Sequence, residues 1–217
     1  VDSVDGRVGG GVVRAPGERA PVYDAVVLAG GGAARLSGRD KPGLEVGGLA
    51  LVRRVASAVA DARRVVVVGP EREGLPGAVF VREDPPGGGP VPALRAGLAE
   101  VSAPWTALLA GDLPFLEPRH VHALLAASGD AHGAVLVDGE GREQWLVGLW
   151  RVEPLRRALA SYTGRSLHGL LGPLQPVRLA APPAPGLPEP WFDCDTMDDL
   201  RRARDLAERD HADDPVP

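Results

Sequence analysis

Four consecutive valines, Val65-Val66-Val67-Val68, constrain this chain more than any other stretch. β-Branched side chains favour strands over helices, and a run with no polar alternation has no face to show to water. It belongs in a strand covered on both sides, as in a parallel sheet between helices. Asp24-Ala-Val-Val-Leu28, Ala78-Val-Phe-Val81, Trp105-Thr-Ala-Leu-Leu109 and Ala134-Val-Leu-Val137 read as further short strands. Between them Leu49–Ala60, Pro92–Val101 and Pro118–Ala127 read as helices, the first with apolar residues at helical spacing. This alternation predicts a three-layer α/β/α sandwich with a mostly parallel, Rossmann-like sheet, whose ligands belong at the carboxyl ends of the strands.

The second half is less regular. Trp145–Trp150, Val152–Tyr162, Ser166–Leu171 and Pro176–Leu179 show no single period, and Thr196–Arg209 closes as a charged helix that Thr196 and Asp199 would cap. Five prolines between Pro182 and Pro190 require an extended surface connection. No internal repeat or composition break divides the chain, so residues 22–209 are expected to form one domain, between a flexible leader over 1–21 and a flexible tail over 210–217.

A formal net charge of −5 argues against a surface that coats nucleic acid or an anionic membrane. No apolar run is long enough to span a bilayer and no secretory signal opens the sequence, so a cytoplasmic protein is expected. The one cysteine, Cys194, excludes an internal disulfide. His120 and His122, two apart on a predicted helix, do not share the face that a metal-chelating pair needs. Of the 24 basic residues 23 are arginine and one is lysine, Lys41, in a chain that also lacks asparagine and isoleucine. Where composition drives lysine to arginine, a surviving lysine marks a place where arginine does not serve.

Two loops should face the ligand. The first, Leu28-Ala-Gly-Gly-Gly-Ala-Ala-Arg-Leu-Ser-Gly-Arg-Asp-Lys41, offers bare backbone N–H groups at Gly30, Gly31 and Gly32 with the charges of Arg35 and Lys41, a set suited to polyphosphate. It is not a Walker A loop, because Gly38 is followed by Arg39-Asp40 and Lys41 by Pro42. It is not a dinucleotide fingerprint either, because Arg35 stands where close helix packing needs a glycine. The second loop, Ala110-Gly-Asp112-Leu-Pro114, carries a carboxylate that serves either as a turn former or as a Mg²⁺ ligand. Asp195 could supply a second carboxylate or cap the last helix, and whether Asp193 or Asp195 meets metal stays open.

These residues resemble a known family. Leu28-Ala-Gly-Gly-Gly-Ala-Ala-Arg35 with Asp40-Lys41 is similar to the LAGG-x-x-x-R…DK signature of the nucleotidyltransferases typified by molybdenum cofactor guanylyltransferase. Glu83-Asp84 with Gly88-Gly-Pro90 and Gly97-Leu98, then Ala110-Gly-Asp112-Leu-Pro114, Glu143–Leu149 and Phe192-Asp-Cys-Asp-Thr196 resemble later family motifs in order and spacing. The resemblance implies that Leu28, Ala29 and Gly30 lie along the nucleotide, that Gly31, Gly32, Arg35 and Lys41 meet its phosphates, that Asp84 helps hold the nucleoside, and that Asp112 binds Mg²⁺. It implies transfer of GMP from GTP to the terminal phosphate of molybdopterin cofactor, and transient contact with molybdoenzymes or cofactor-delivery proteins. Three positions depart from the pattern: Gly69-Pro70 where asparagine is common, Ala110 for cysteine, and Met197 for proline. A related transferase using CTP, a sugar phosphate or phospholactate, and a non-catalytic nucleotide-binding partner, are the competing expectations.

Overall fold

The computed structural model describes residues 21–30, 40–181 and 186–212. The expected leader falls outside them except for Pro21, as do Gly31, Gly32 and Arg35 of the first loop.

In chain order the elements are β1 (Tyr23–Leu28), a 3₁₀ turn (Lys41–Gly43), β2 (Glu45–Val46), β3 (Leu49–Ala50), α1 (Leu51–Ser57), β4 (Val65–Val68), β5 (Val79–Val81) and α2 (Pro90–Ala99). Then follow β6 (Trp105–Ala110), α3 (Pro118–Ser128), β7 (Gly133–Val137), β8 (Glu143–Arg151), α4 (Val152–Ser161), α5 (Leu167–Leu171), a second 3₁₀ turn (Gly172–Leu174), β9 (Val177–Ala180) and α6 (Met197–Ala212). Seven strands form one sheet in the order β5-β4-β1-β6-β8-β7-β9. All its pairings are parallel except the two made by β8, which runs against both β6 and β7.

The period of two along each strand separates two cores. Val27 and Val67 face one way with Ala107 and Leu109, against Val52 and Val55 of α1 and Val121 and Leu124 of α3. Val26, Val66 and Val68 face the other way, against Leu94 and Leu98 of α2 and Leu155 of α4. The valine run is thus covered on both faces, and the chain is a three-layer α/β/α sandwich. Gly97 brings α2 close to the sheet: a Cβ there would lie 2.6 Å from Val26 Cγ1 and 2.8 Å from Val68 Cγ2. Overpacking of that kind costs about 1–3 kcal/mol.

Three local expectations change. The helix predicted over 49–60 begins at Leu51, because Leu49-Ala50 pairs back on Glu45-Val46 as a small hairpin. Its turn is Gly47-Gly48, both at positive φ (57° and 73°), a hairpin signal that lies in plain view in the sequence. Trp145–Trp150 is part of a nine-residue strand, β8. α6 continues to Ala212, three residues into the stretch expected to be tail. The cap of α6 is as predicted: the Asp199 N–H donates to Thr196 Oγ1 (3.1 Å), and the Thr196 N–H to Asp199 Oδ2 (2.8 Å). Val46, Leu51, Phe115, Cys194, Leu200 and Ala203 form a third small core under α6. Among the described residues no helix is long and apolar enough to cross a membrane.

Candidate active site

The chain runs outward from β1 through β4 to β5 and then returns to the other side of β1 as β6, so the strand order reverses between β1 and β6. Ligands of open α/β sheets bind outside the carboxyl ends of strands at such a reversal. Here those ends are paired: Leu28 lies opposite Ala110, and the Gly111 N–H donates to the Leu28 carbonyl at 2.9 Å. On the other side the Ala29 N–H donates to the Val68 carbonyl at 2.8 Å. Leu28, Ala29 and Gly30 therefore leave the sheet between the loops that follow β4 and β6.

Lys41 opens a 3₁₀ turn whose Pro42 is buried, which fixes where its side chain begins. Its ammonium makes an ion pair with Asp112 and donates to Asp195 Oδ1 at 2.7 Å. Residues 41, 112 and 195, distant in sequence, thus meet at one point. Both Lys41 and Asp112 keep 16% of their side-chain surface exposed, so the pair is shielded yet open to a ligand. Burial alone would discourage the Lys41 charge, but Asp112 and Asp195 outweigh it and hold the ammonium above its ordinary range.

Asp195 does not act as the cap of α6, a task that falls to Thr196 and Asp199. In Asp193-Cys194-Asp195 the middle residue anchors the segment. The Cys194 side chain is buried under α6, and its thiol is pushed up to about 12, chiefly by burial and then by Asp112, so it stays neutral. The flanking carboxylates both reach the site. Asp112, Asp193 and Asp195 each place an oxygen within 4.8 Å of the others. Burial, and then the like charges of Asp195 and Asp112, raise the Asp193 carboxyl above the usual carboxylate range.

A hard divalent cation such as Mg²⁺ takes carboxylate oxygens and completes its shell with water and phosphate oxygens. Three converging carboxylates are a fitting donor set, and the Lys41 ammonium seated among them shows that the position stabilises a cation.

Arg72 is a participant that sequence reasoning missed. Its guanidinium grips Asp40 through two bonds (Nε–Oδ2 2.8 Å, Nη2–Oδ1 2.6 Å) and donates to the Ala29 carbonyl (2.9 Å) and the Pro70 carbonyl (3.2 Å). It ties the residue before Lys41 to the end of β1, and its bonds hold the Asp40 carboxyl below the usual range. One arginine among 23 in a polar loop carries no local signal of such a role. In the loop after β5 the buried acid is Glu83, which accepts from the Gly87 N–H at 2.9 Å, whereas Asp84 is exposed at the same sheet edge and precedes a cis proline, Pro85. Among the described residues Asp84 makes no hydrogen bond or ion pair with Lys41 or Asp112; Gly31, Gly32 and Arg35 lie outside the described residues.

A Rossmann-like sheet with a cation-ready carboxylate cluster at its switch point defines a nucleotide-handling enzyme. The sequence matches the MobA-like NTP transferase domain over residues 25–177, and the chain belongs to that family of nucleotidyltransferases. It is 30% identical to a probable molybdenum cofactor guanylyltransferase of Natronomonas pharaonis, over 83% of this chain and 96% of that one. It is 32% identical to a molybdenum cofactor guanylyltransferase of Bradyrhizobium sp., over 84% and 92%. Among solved structures, molybdopterin-guanine dinucleotide biosynthesis protein A of Archaeoglobus fulgidus superposes with a TM-score of 0.64 at 21% identity, covering 86% of this chain and 99% of that one. The 2-C-methyl-D-erythritol 4-phosphate cytidylyltransferase of Thermus thermophilus superposes equally well, TM-score 0.64 at 22% identity over 85% and 98%. These two likenesses show the fold.

Proposed function

We propose that this protein transfers GMP from GTP to the terminal phosphate of molybdopterin cofactor, with Mg²⁺ held by Asp112 and Asp195. The observation that supports this most is the meeting of Lys41 with Asp112, just after β6, and Asp195, just before α6, joined to the names of relatives about 30% identical over most of the chain. Leu28, Ala29 and Gly30 line the nucleotide, Gly31, Gly32 and Arg35 surround its phosphates, and Asp84 holds the nucleoside.

An oxygen of the acceptor phosphate attacks the α-phosphorus of GTP; the bond from that phosphorus to the α,β-bridging oxygen breaks, and pyrophosphate leaves. A phosphate monoester is already ionised near neutral pH, so no general base is needed. The difficulty is anion meeting anion. Mg²⁺, when bound, neutralises phosphate oxygens. The Lys41 ammonium, which pairs with Asp112 and Asp195, is the cation that we assign to the phosphates. There, with Arg35 and the loop amides, it stabilises charge moving onto the leaving group. Arg72 acts through Asp40 to keep Lys41 in reach.

The second reading is a related transferase that uses CTP, the nucleotide class in the name of a cytidylyltransferase of the same fold. Pyrophosphate release is measured with GTP and CTP against molybdopterin, a sugar phosphate and phospholactate. Release from GTP with molybdopterin is expected; a preference for CTP or another acceptor replaces this reading. Nucleotide binding without release under any acceptor makes the protein a non-catalytic partner.

A further inference from the structure

Lys41, Asp112 and Asp195 stand on three separate segments, and each segment sends a nearby apolar side chain into one small core. Val46 and Leu51 follow Lys41, Phe115 follows Asp112 and Cys194 precedes Asp195; all four are buried together under α6. Phe115 also meets the Phe192 ring edge-on, with centroids 5.7 Å apart. Apolar burial keeps the three segments together, but it is non-directional and sets no register between their backbones. Hydrogen bonds, which fix both distance and direction, can do that.

Arg54 of α1, half-buried beneath the cluster's supporting core, makes such a tie. Its Nε donates to the Val46 carbonyl at 2.7 Å and its Nη1 to the Pro114 carbonyl at 3.5 Å. Val46 belongs to the hairpin that follows the Lys41 turn, and Pro114 comes two residues after Asp112. One planar guanidinium thus bridges the backbone on the Lys41 side to the backbone on the Asp112 side, a task suited to its rigid fork of donors. The Lys41 turn is fastened to the same helix. The Leu44 N–H donates to the Lys41 carbonyl (3.1 Å), and the Leu51 N–H, at the start of α1, to the Leu44 carbonyl (2.9 Å). Gly47 leaves room for the guanidinium, since a Cβ there would fall on Arg54 Nη2. From the far side Arg204 of α6 donates to the Glu45 carbonyl at 2.8 Å, so the hairpin is held by α1 and α6 at once.

We propose that Arg54 is a positioning residue for nucleotidyl transfer, which sets the placement of Lys41 relative to Asp112 by clamping the backbones that carry them. The inference rests on the roles given above to Lys41 and Asp112. Misplacing a catalytic group by about 1 Å can cost about 10²-fold in rate, so a slackened clamp is visible in turnover.

The test is steady-state pyrophosphate release from GTP with molybdopterin and Mg²⁺ by the full chain, for Arg54→Ala, Lys41→Ala and the double variant. Arg54→Ala is expected to lower kcat about tenfold with the KM for GTP within about twofold of wild type, because the aligned groups act on charge that develops in the transition state. In the Lys41→Ala background the same substitution should cost less than about twofold, since a residue that works through Lys41 then has nothing left to align. Arg54→Met, which keeps an unbranched stem and donates nothing, carries the same expectations should the alanine variant fail to fold. Unchanged kcat in the Arg54 variants, or an equal fractional loss with and without Lys41, overturns the inference and leaves the role of Lys41 standing. Wild-type turnover in Lys41→Ala, or no release by the wild type, shows instead that the reading of the site failed, and the clamp falls with it.

Discussion

The two edges of the sheet handle buried charge in opposite ways. At the amino edge Asp24 is fully buried. It accepts two bonds from Arg63 (3.0 and 2.9 Å) and one each from the Ser102 N–H (2.7 Å) and the Ala103 N–H (2.9 Å). Burial opposes its charge, but these donors win and hold the carboxyl below its usual range. Tyr23 and His122 likewise converge on Asp61. At the carboxyl edge three carboxylates face one another, and burial, then the like charges of Asp195 and Asp112, raises the carboxyl of Asp193. Depth of burial alone would rank Asp24 as the functional acid. The discriminating property is what each carboxylate faces: donors that saturate it, or like charges that leave it ready for a cation.

If that contrast holds, Asp112→Asn should lower turnover by 10²–10³-fold, about 2.7–4 kcal/mol of transition-state stabilisation, and abolish its dependence on Mg²⁺. Pyrophosphate release checks this, and the thermal midpoint should move by only a few degrees. An unchanged Mg²⁺ titration removes Asp112 from the metal site. Asp24→Ala should do the reverse, costing about 2–4 kcal/mol of stability in urea unfolding by stripping the acceptor from Arg63 and two backbone N–H groups, with activity per folded molecule unchanged. Because the folded-state pKa of Asp24 is depressed, its contribution is complete above the unfolded value near 3.9 and is lost as pH falls through the folded value. The stability curves of wild type and Asp24→Ala should therefore converge in acid.

Lys41→Arg is expected to reduce kcat about tenfold, since a broad guanidinium fork does not replace a compact ammonium at a crowded phosphate; full activity would make the lone lysine an accident of composition. The smallest effect belongs to Asp193→Asn. A carboxyl raised in the folded state costs stability at pH above its folded value and nothing below the unfolded value near 3.9. The variant should show a slightly higher melting temperature near pH 7. That advantage should vanish in acid, and Mg²⁺ should shrink it by stabilising the wild type. A lower melting temperature at neutral pH would show that Asp193 is held by donors, like Asp24.

The architecture was legible because it rests on periodicity. A strand buried on both faces must be apolar throughout, and Val65–Val68 is. Gly47-Gly48 could have been read as a hairpin, but a helical period running into the turn from Leu49 obscured it. Lys41 and Asp112 were singled out in loops after predicted strands and Asp195 at the start of the last helix, and these three the structure brings together. The role of Arg72 was not legible, because a guanidinium spanning Asp40 and Ala29 is a relation between distant segments.

By itself the amino-acid order determined which segments alternate between strand and helix and which residues bear charge, since both are properties of short windows governed by local geometry. Tertiary structure decided which charges meet. Asp193, Cys194 and Asp195 are three neighbours in one segment, yet only packing under α6 sends the thiol inward and turns both acids toward Lys41 and Asp112. Coulomb forces act through space across a shielded cleft, and the chain brings those groups within reach only once the sheet has formed.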